Sequence, residues 1–210
     1  MVLASYTVSL VYFLSILLLL VTLLRKKRYL NPSLLWVTFY VILAFFIFIF
    51  LAFIRSPGPT NLYITIYSLL EFLIMGELLD GLIIYKKKRL LKLLRWTYTL
   101  AVCIYIIINQ EFYNDNMWVA EFSSLFLIFQ SLLTMKIFLN KENTDHLKNL
   151  SFWLIISVFF LHIFSVPIVV YDYYLFNSFF IDSTLITRIS NFSIYILFNT
   201  LLNISINRLC

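Results

Sequence analysis

Apolar residues gather into seven long blocks separated by short polar connections. The blocks are Val2–Leu24, Ser33–Ile54, Leu62–Tyr85, Leu90–Asn109, Met117–Leu139, Leu150–Val170 and Ile181–Ile206. Each is near the length of about 20 residues that an α-helix needs to cross hydrocarbon. Within a bilayer every backbone N–H and C=O must be satisfied inside its own segment, so the blocks predict helices. The expected fold is an all-α integral membrane protein, a single seven-transmembrane helix bundle spanning residues 1–210. Breakers fall between blocks. Asn31-Pro32-Ser33 offers a capping side chain and a first-turn proline to the second span, and Asn114-Asp115-Asn116 offers caps to the fifth. Ser56-Pro57-Gly58-Pro59 reads as the separator of the second and third. Lys92 and Arg95 lie in the first turns of the fourth span and are expected to snorkel to the interface.

Charge sets the expected orientation. The basic residues cluster after the first span (Arg25 to Arg28), after the third (Lys86 to Arg89, Lys92, Arg95), around the fifth-to-sixth connection (Lys136, Lys141, Lys148) and after the seventh (Arg208). Those are 14 of the 16 Lys and Arg residues, leaving Arg55 and Arg188 for the other side. The positive-inside rule therefore predicts the N-terminus out and the C-terminus in, in the cell inner (cytoplasmic) membrane. The first span lacks a basic n-region and a small-residue cleavage site, so it reads as a retained helix. The composition agrees: 62% hydrophobic, 12% charged, mean hydropathy +0.95. A soluble domain carries about 25% charged residues, so there is too little polar surface here to coat a globule. The pI of 9.3 comes from short juxtamembrane clusters. These point to anionic lipid, with no nucleic-acid partner expected.

Polar residues inside the spans are the candidate functional groups, because their burial in hydrocarbon is costly. Glu71 lies nine residues into the third span, about 13 Å along the helix. Tyr67 sits one turn before it, in reach of its carboxyl. Such a group serves either as a proton-responsive or ligand-binding carboxyl, or as a hydrogen-bonded brace between helices. Glu77 and Asp80 follow on the same span and are expected to form an inner-interface charge cluster with Lys86 to Arg89. Glu121 opens the fifth span with Ser124 and Ser131 on its side. His162 precedes Pro167 in the sixth, where the proline frees a carbonyl and favours a kink with a local polar pocket. The seventh span repeats polar residues every fourth position: Thr187, Asn191, Tyr195, Asn199, Asn203 and Asn207. That stripe must face the bundle interior, a hydrated cavity or a partner helix.

Catalytic chemistry is not expected. The chain has no HExxH, no Gly-x-Ser-x-Gly and no Gly-rich nucleotide loop. Asp80 and Asp172 fall toward opposite sides and make no dyad, and the seventh span holds no lysine for a retinal Schiff base. Cys103 and Cys210 form no disulfide or metal pattern. No metal and no cofactor are expected. Trp36, Trp96, Trp118 and Trp153 fall near span ends, as an interfacial belt does. The apolar stretch Tyr171–Phe180 reads as a loop on the outer interface or a lid.

Several short motifs together resemble one family. Tyr67-Ser68-x-x-Glu71, Glu121-x-Ser123-Ser124, Phe152-Trp153 and the Asn191, Asn199, Asn203 pattern are similar to small seven-span inner-membrane proteins of the Bacteroidetes group. Their genes often lie beside those of sensor histidine kinases. The resemblance covers about residues 60–207 and implies a receptor-like or signalling role with a kinase or complex subunit as partner. The residues themselves point the same way: buried polar groups without catalytic geometry, and cytoplasmic connections with no domain of their own. The expected function is a non-enzymatic sensor or accessory subunit working through a membrane protein partner, with membrane lipids as surroundings. The alternative is a small ion-coupled transporter or channel subunit that uses Glu71, Glu121 and His162.

Overall fold

Long apolar blocks do form helices. The computed structural model describes residues 2–26, 32–53, 57–82, 88–109, 117–140, 150–176 and 183–207. Seven α-helices account for nearly all of them: α1 (Val2–Arg25), α2 (Pro32–Phe53), α3 (Pro57–Leu82), α4 (Lys88–Asn109), α5 (Met117–Leu139), α6 (Leu150–Phe176) and α7 (Ser183–Asn207). Two boundaries differ most from the sequence reading. Pro57-Gly58-Pro59 does not separate two helices but forms the first turn of α3. Prolines are tolerated there because first-turn N–H groups have no helical partner anyway. α6 runs past Pro167 to Phe176, so 171–176 are helix rather than loop or lid, while 177–180 lie outside the described residues. The caps proposed at Asn31 and at Asn114 to Asn116 also lie outside them.

Among the described residues five helices are long and apolar enough to cross a membrane: Thr7–Arg25, Lys88–Ile108, Trp118–Leu139, Leu150–Ile168 and Ile189–Asn207. Leu34–Ile49 of α2 is an apolar but shorter stretch. α3 is long, yet its second half carries three carboxylates, Glu71, Glu77 and Asp80. The distribution of side chains is the reverse of a soluble protein's. Arg95, Gln130, Ser131, Thr134 and Asn199 are buried, whereas Leu18, Phe46, Ile108 and Phe122 are each more than 60% exposed. Apolar surface of that extent is stable when hydrocarbon covers it. This is the make-up of a multi-pass membrane protein.

The helices group into two units, one of residues 31–123 and one of residues 1–30 with 124–210. In the first, α3 packs on α2 and α4. Leu34, Val37, Val41 and Ala44 form the buried stripe of α2, at the three- and four-residue spacing of a packed helix face. Leu69, Val102, Ile106 and Val119 make a core cluster against Tyr98 and Cys103. Phe72 meets the Tyr98 ring edge-on at 5.5 Å, and Tyr98 stacks on Phe122 at 5.9 Å. In the second unit α7 packs on both α1 and α6. Tyr12, Ile16, Leu19 and Leu23 form the buried stripe of α1, and Phe198, Leu202 and Ile206 that of α7.

Candidate functional site

The unit built on α2, α3 and α4 has a charged centre. α3 and α4 run antiparallel, which brings the end of one beside the start of the other. Asp80 Oδ2 accepts from Arg95 Nη2 at 2.6 Å, and Glu77 Oε1 lies 3.3 Å from the same nitrogen. Lys92 Nζ reaches Glu77 at 2.9 Å. The burial is uneven. The Arg95 and Asp80 side chains are 0% and 1% exposed, Glu77 is 13% and Lys92 is 49%. The Arg95–Asp80 pair is therefore a desolvated ion pair, and the Lys92–Glu77 pair a rim contact. This corrects one expectation. Arg95 does not snorkel to the interface, because two carboxylates neutralise it inside the unit. Lys92 and Arg95 hold the carboxylates; of the expected partners Lys86 to Arg89, Lys86 and Lys87 lie outside the described residues. Gly76 makes the fit: a Cβ there would collide with Cδ, Nε and Cζ of Arg95.

Farther along α3, Tyr67 Oη donates to Glu71 Oε1 at 3.3 Å, as the one-turn spacing predicts. Glu71 is buried, so the hydrogen bond is what makes the carboxyl tolerable there. Replacing Glu71 by Gln keeps an acceptor and a donor at the same place and should leave detergent stability unchanged. Glu71→Leu should cost about 1–3 kcal/mol by stranding the groups that bond to it. Thermal unfolding in detergent separates the two, and a Leu variant as stable as wild type removes Glu71 from the interior. Glu121 is half-buried with no polar partner among the described residues.

The other unit carries the α7 stripe. Asn199 Nδ2 donates to Ser15 Oγ at 2.9 Å, while Ser15 Oγ itself donates to Tyr12 O at 2.7 Å. Thr22 shares its single hydroxyl proton between Leu18 O at 2.9 Å and Asn203 Oδ1 at 3.3 Å. Asn207 Nδ2 also donates to Asn203 Oδ1, at 2.7 Å. Asn199 and Asn203 of the stripe thus bond to α1. Tyr195 lies beside Tyr12 with ring centroids 5.9 Å apart, and Asn191 is half-buried with no hydrogen-bond partner among the described residues. Ser15, Leu18, Asn199, Thr200, Asn203, Ile204 and Asn207 line a half-open cleft of about 150 Å³. In the same unit His162 Nδ1 lies 3.3 Å from Ser124 Oγ on α5, and Ser165 Oγ donates to His162 O at 3.1 Å. His162 Nε2, Ser131 Oγ and Thr134 Oγ1 are buried with no partner among the described residues.

Among the residues expected to matter, the structure pairs Tyr67 with Glu71, and Asn199 and Asn203 with α1. Sequence reading missed Arg95 as the partner of Asp80 and Gly76 as the space that admits it. The signal was present: two carboxylates ending one helix, Glu77 and Asp80, face two cations opening the next, across a connection of a few residues. Among the described residues no group of three His, Cys, Asp or Glu side chains is placed to hold a metal ion. The fold and sites define an all-helical, membrane-type bundle with charged and amide-rich helix contacts. Comparison with protein-family models, curated proteins and solved structures finds no match to the chain.

Proposed function

We propose that this is a seven-span inner-membrane protein, N-terminus out and C-terminus in, acting without catalysis of its own as a receptor-like sensor or accessory subunit. It works through a partner membrane protein, and a histidine kinase is the partner that the resemblance to the Bacteroidetes proteins favours. Two features support seven crossings. The bonds Ser15–Asn199 and Thr22–Asn203 advance together along both chains, so α1 and α7 are parallel. Parallel first and last spans require an odd number of crossings. α3 packs antiparallel on the span α4, whose Arg95 and Lys92 offset the carboxylates that would otherwise bar α3 from hydrocarbon.

The observation that carries the sensing role is how the buried polar groups are used. Asp80, Arg95, Asn199 and Asn203 are all engaged in bonds from one helix to another. Groups so engaged respond to changes in helix packing, which is what a receptor transmits. A carrier instead needs ionisable groups facing a hydrated path, and the half-buried, unpartnered Glu121 is the feature favouring that second reading. Purification in mild detergent after crosslinking in native membranes should recover a stoichiometric membrane protein partner. Repeated recovery of the protein alone, together with proteoliposome flux abolished by Glu121→Gln or Glu71→Gln, would replace the sensor with the carrier.

A further inference from the structure

We propose that the α1–α7 cleft is a binding site for one anionic phospholipid of the inner leaflet. The inference rests on the membrane reading above, specifically on the C-terminal ends of α1 and α7 lying at the cytoplasmic interface. Three observations lead to it.

The first is register. Thr22 pairs with Asn203, so one further turn sets Asn207 level with Lys26. Arg25 ends α1 and Lys26 follows it, beside the end of α7. The mouth of the cleft is therefore cationic. Basic pockets between helices at the cytoplasmic side are the sites that take anionic headgroups.

The second is depth. Asn199 lies two turns below Asn207, about 12 Å along the helix. The interfacial layer of one leaflet is about 5–8 Å thick. The amides thus extend from the level of lipid phosphates through the glycerol esters to the top of the acyl chains. A cleft of about 150 Å³ has the space of about five waters, enough for a polar group entering from the side.

The third is hydrogen-bond sense. Asn203 accepts through Oδ1 from both Thr22 and Asn207, and its Nδ2 has no partner among the described residues. That leaves a donor in the cleft, and phosphate and ester oxygens are acceptors only. Beside the amides the wall is apolar and outward-facing: Leu18 is 61% exposed and Ile204 41%, a track for acyl chains. From the interface inward, the cations, the amide donor and the apolar Leu18 occur in the order in which a phospholipid presents phosphate, ester and tail.

The test uses the full chain in nanodiscs of equal phosphatidylglycerol and phosphatidylcholine, with native mass spectrometry reading the lipid retained on the ejected protein. Wild type should keep one phosphatidylglycerol in preference to phosphatidylcholine. Arg25→Gln with Lys26→Gln should weaken that retention about five-fold for each cation removed. Asn207→Ala should weaken it by a similar factor, being exposed at a helix end where truncation leaves the fold intact. Lys136→Gln, which removes an exposed cation elsewhere, should change nothing. Equal retention by all variants, or no preference between the two lipids, overturns the site. So does a photoreactive side chain in place of Thr200 that captures a protein in native membranes, because a partner helix then fills the cleft. Labelling of Cys210 by an impermeant thiol reagent, in a Cys103→Ser background, tests the parent reading separately. Reaction in inverted vesicles supports the inner leaflet. Reaction in intact cells overturns the orientation, and with it the leaflet, whatever the lipid measurements show.

Discussion

Arg95→Met should be the most damaging single substitution in the chain. It leaves Asp80, 1% exposed, with no counter-charge at 2.6 Å. Removing one member of a buried ion pair costs about 3–5 kcal/mol, mostly through the charge that stays behind. Unfolding in detergent should show that loss, whereas Lys92→Gln, which breaks only the half-exposed rim contact, should cost less than about 1 kcal/mol. Adding Asp80→Asn to Arg95→Met should recover most of the stability, because a pair replaced as a whole leaves no stranded charge. If Arg95→Met alone lies within about 1 kcal/mol of wild type, the pair is not desolvated in the membrane protein as it exists.

Gly76→Leu should be nearly as costly, for a different reason. Gly is the poorest helix former after Pro, so on propensity alone its replacement by Leu is favourable by somewhat under about 1 kcal/mol. Here any Cβ collides with the Arg95 side chain. That side chain has no cheap escape, since it is wholly buried and its guanidinium is held by Asp80. A leucine must expel it from between the helices, so the expected loss approaches the same 3–5 kcal/mol, about what rupture of the pair costs. In an Asp80→Asn, Arg95→Ala background the volume is vacated, and Gly76→Leu should then cost under about 1.5 kcal/mol. A double-mutant cycle between these backgrounds measures the coupling directly. Equal costs in both backgrounds would mean that Gly76 serves something other than the passage of Arg95.

The helical blocks were legible because each side chain that faces hydrocarbon must be apolar, which writes the span into the composition. α5 falls on Met117–Leu139 in both readings. The start of α3 was not legible, because Pro and Gly signal equally a break and a first turn, and only the turn's neighbours decide. Arg95 shows the deeper difficulty. A cation in a span invites the expectation that it reaches water, since the sequence displays the carboxylates of the preceding helix without the distance that separates them from it. The 15 residues between Asp80 and Arg95 become 2.6 Å only once α3 and α4 fold back on each other. Asn199 and Asn203 of the α7 stripe were legible as interior groups, because a row of amides surrounded by lipid would go unbonded. That α1 would be their partner was not, since Ser15 and Thr22 are small and look like ordinary residues of an apolar helix.

The contact between the first helix and the last also orders events in time. Ser15 and Asn199 are 184 positions apart, and Thr22 and Asn203 are 181. During synthesis α1 is made well before α7 and must hold two hydroxyls without their amides until that later helix has been made. In that interval its serine and threonine fall back on carbonyls of their own helix, Tyr12 O and Leu18 O, as they also do in the finished protein. Small hydroxyl residues suit an edge that waits, because they satisfy themselves locally, whereas an asparagine on α1 would face lipid with nothing to bond. The amides sit on the later of the two helices, where their partners are already in place. The division of polar groups between the two helices thus follows the direction in which the ribosome reads the chain.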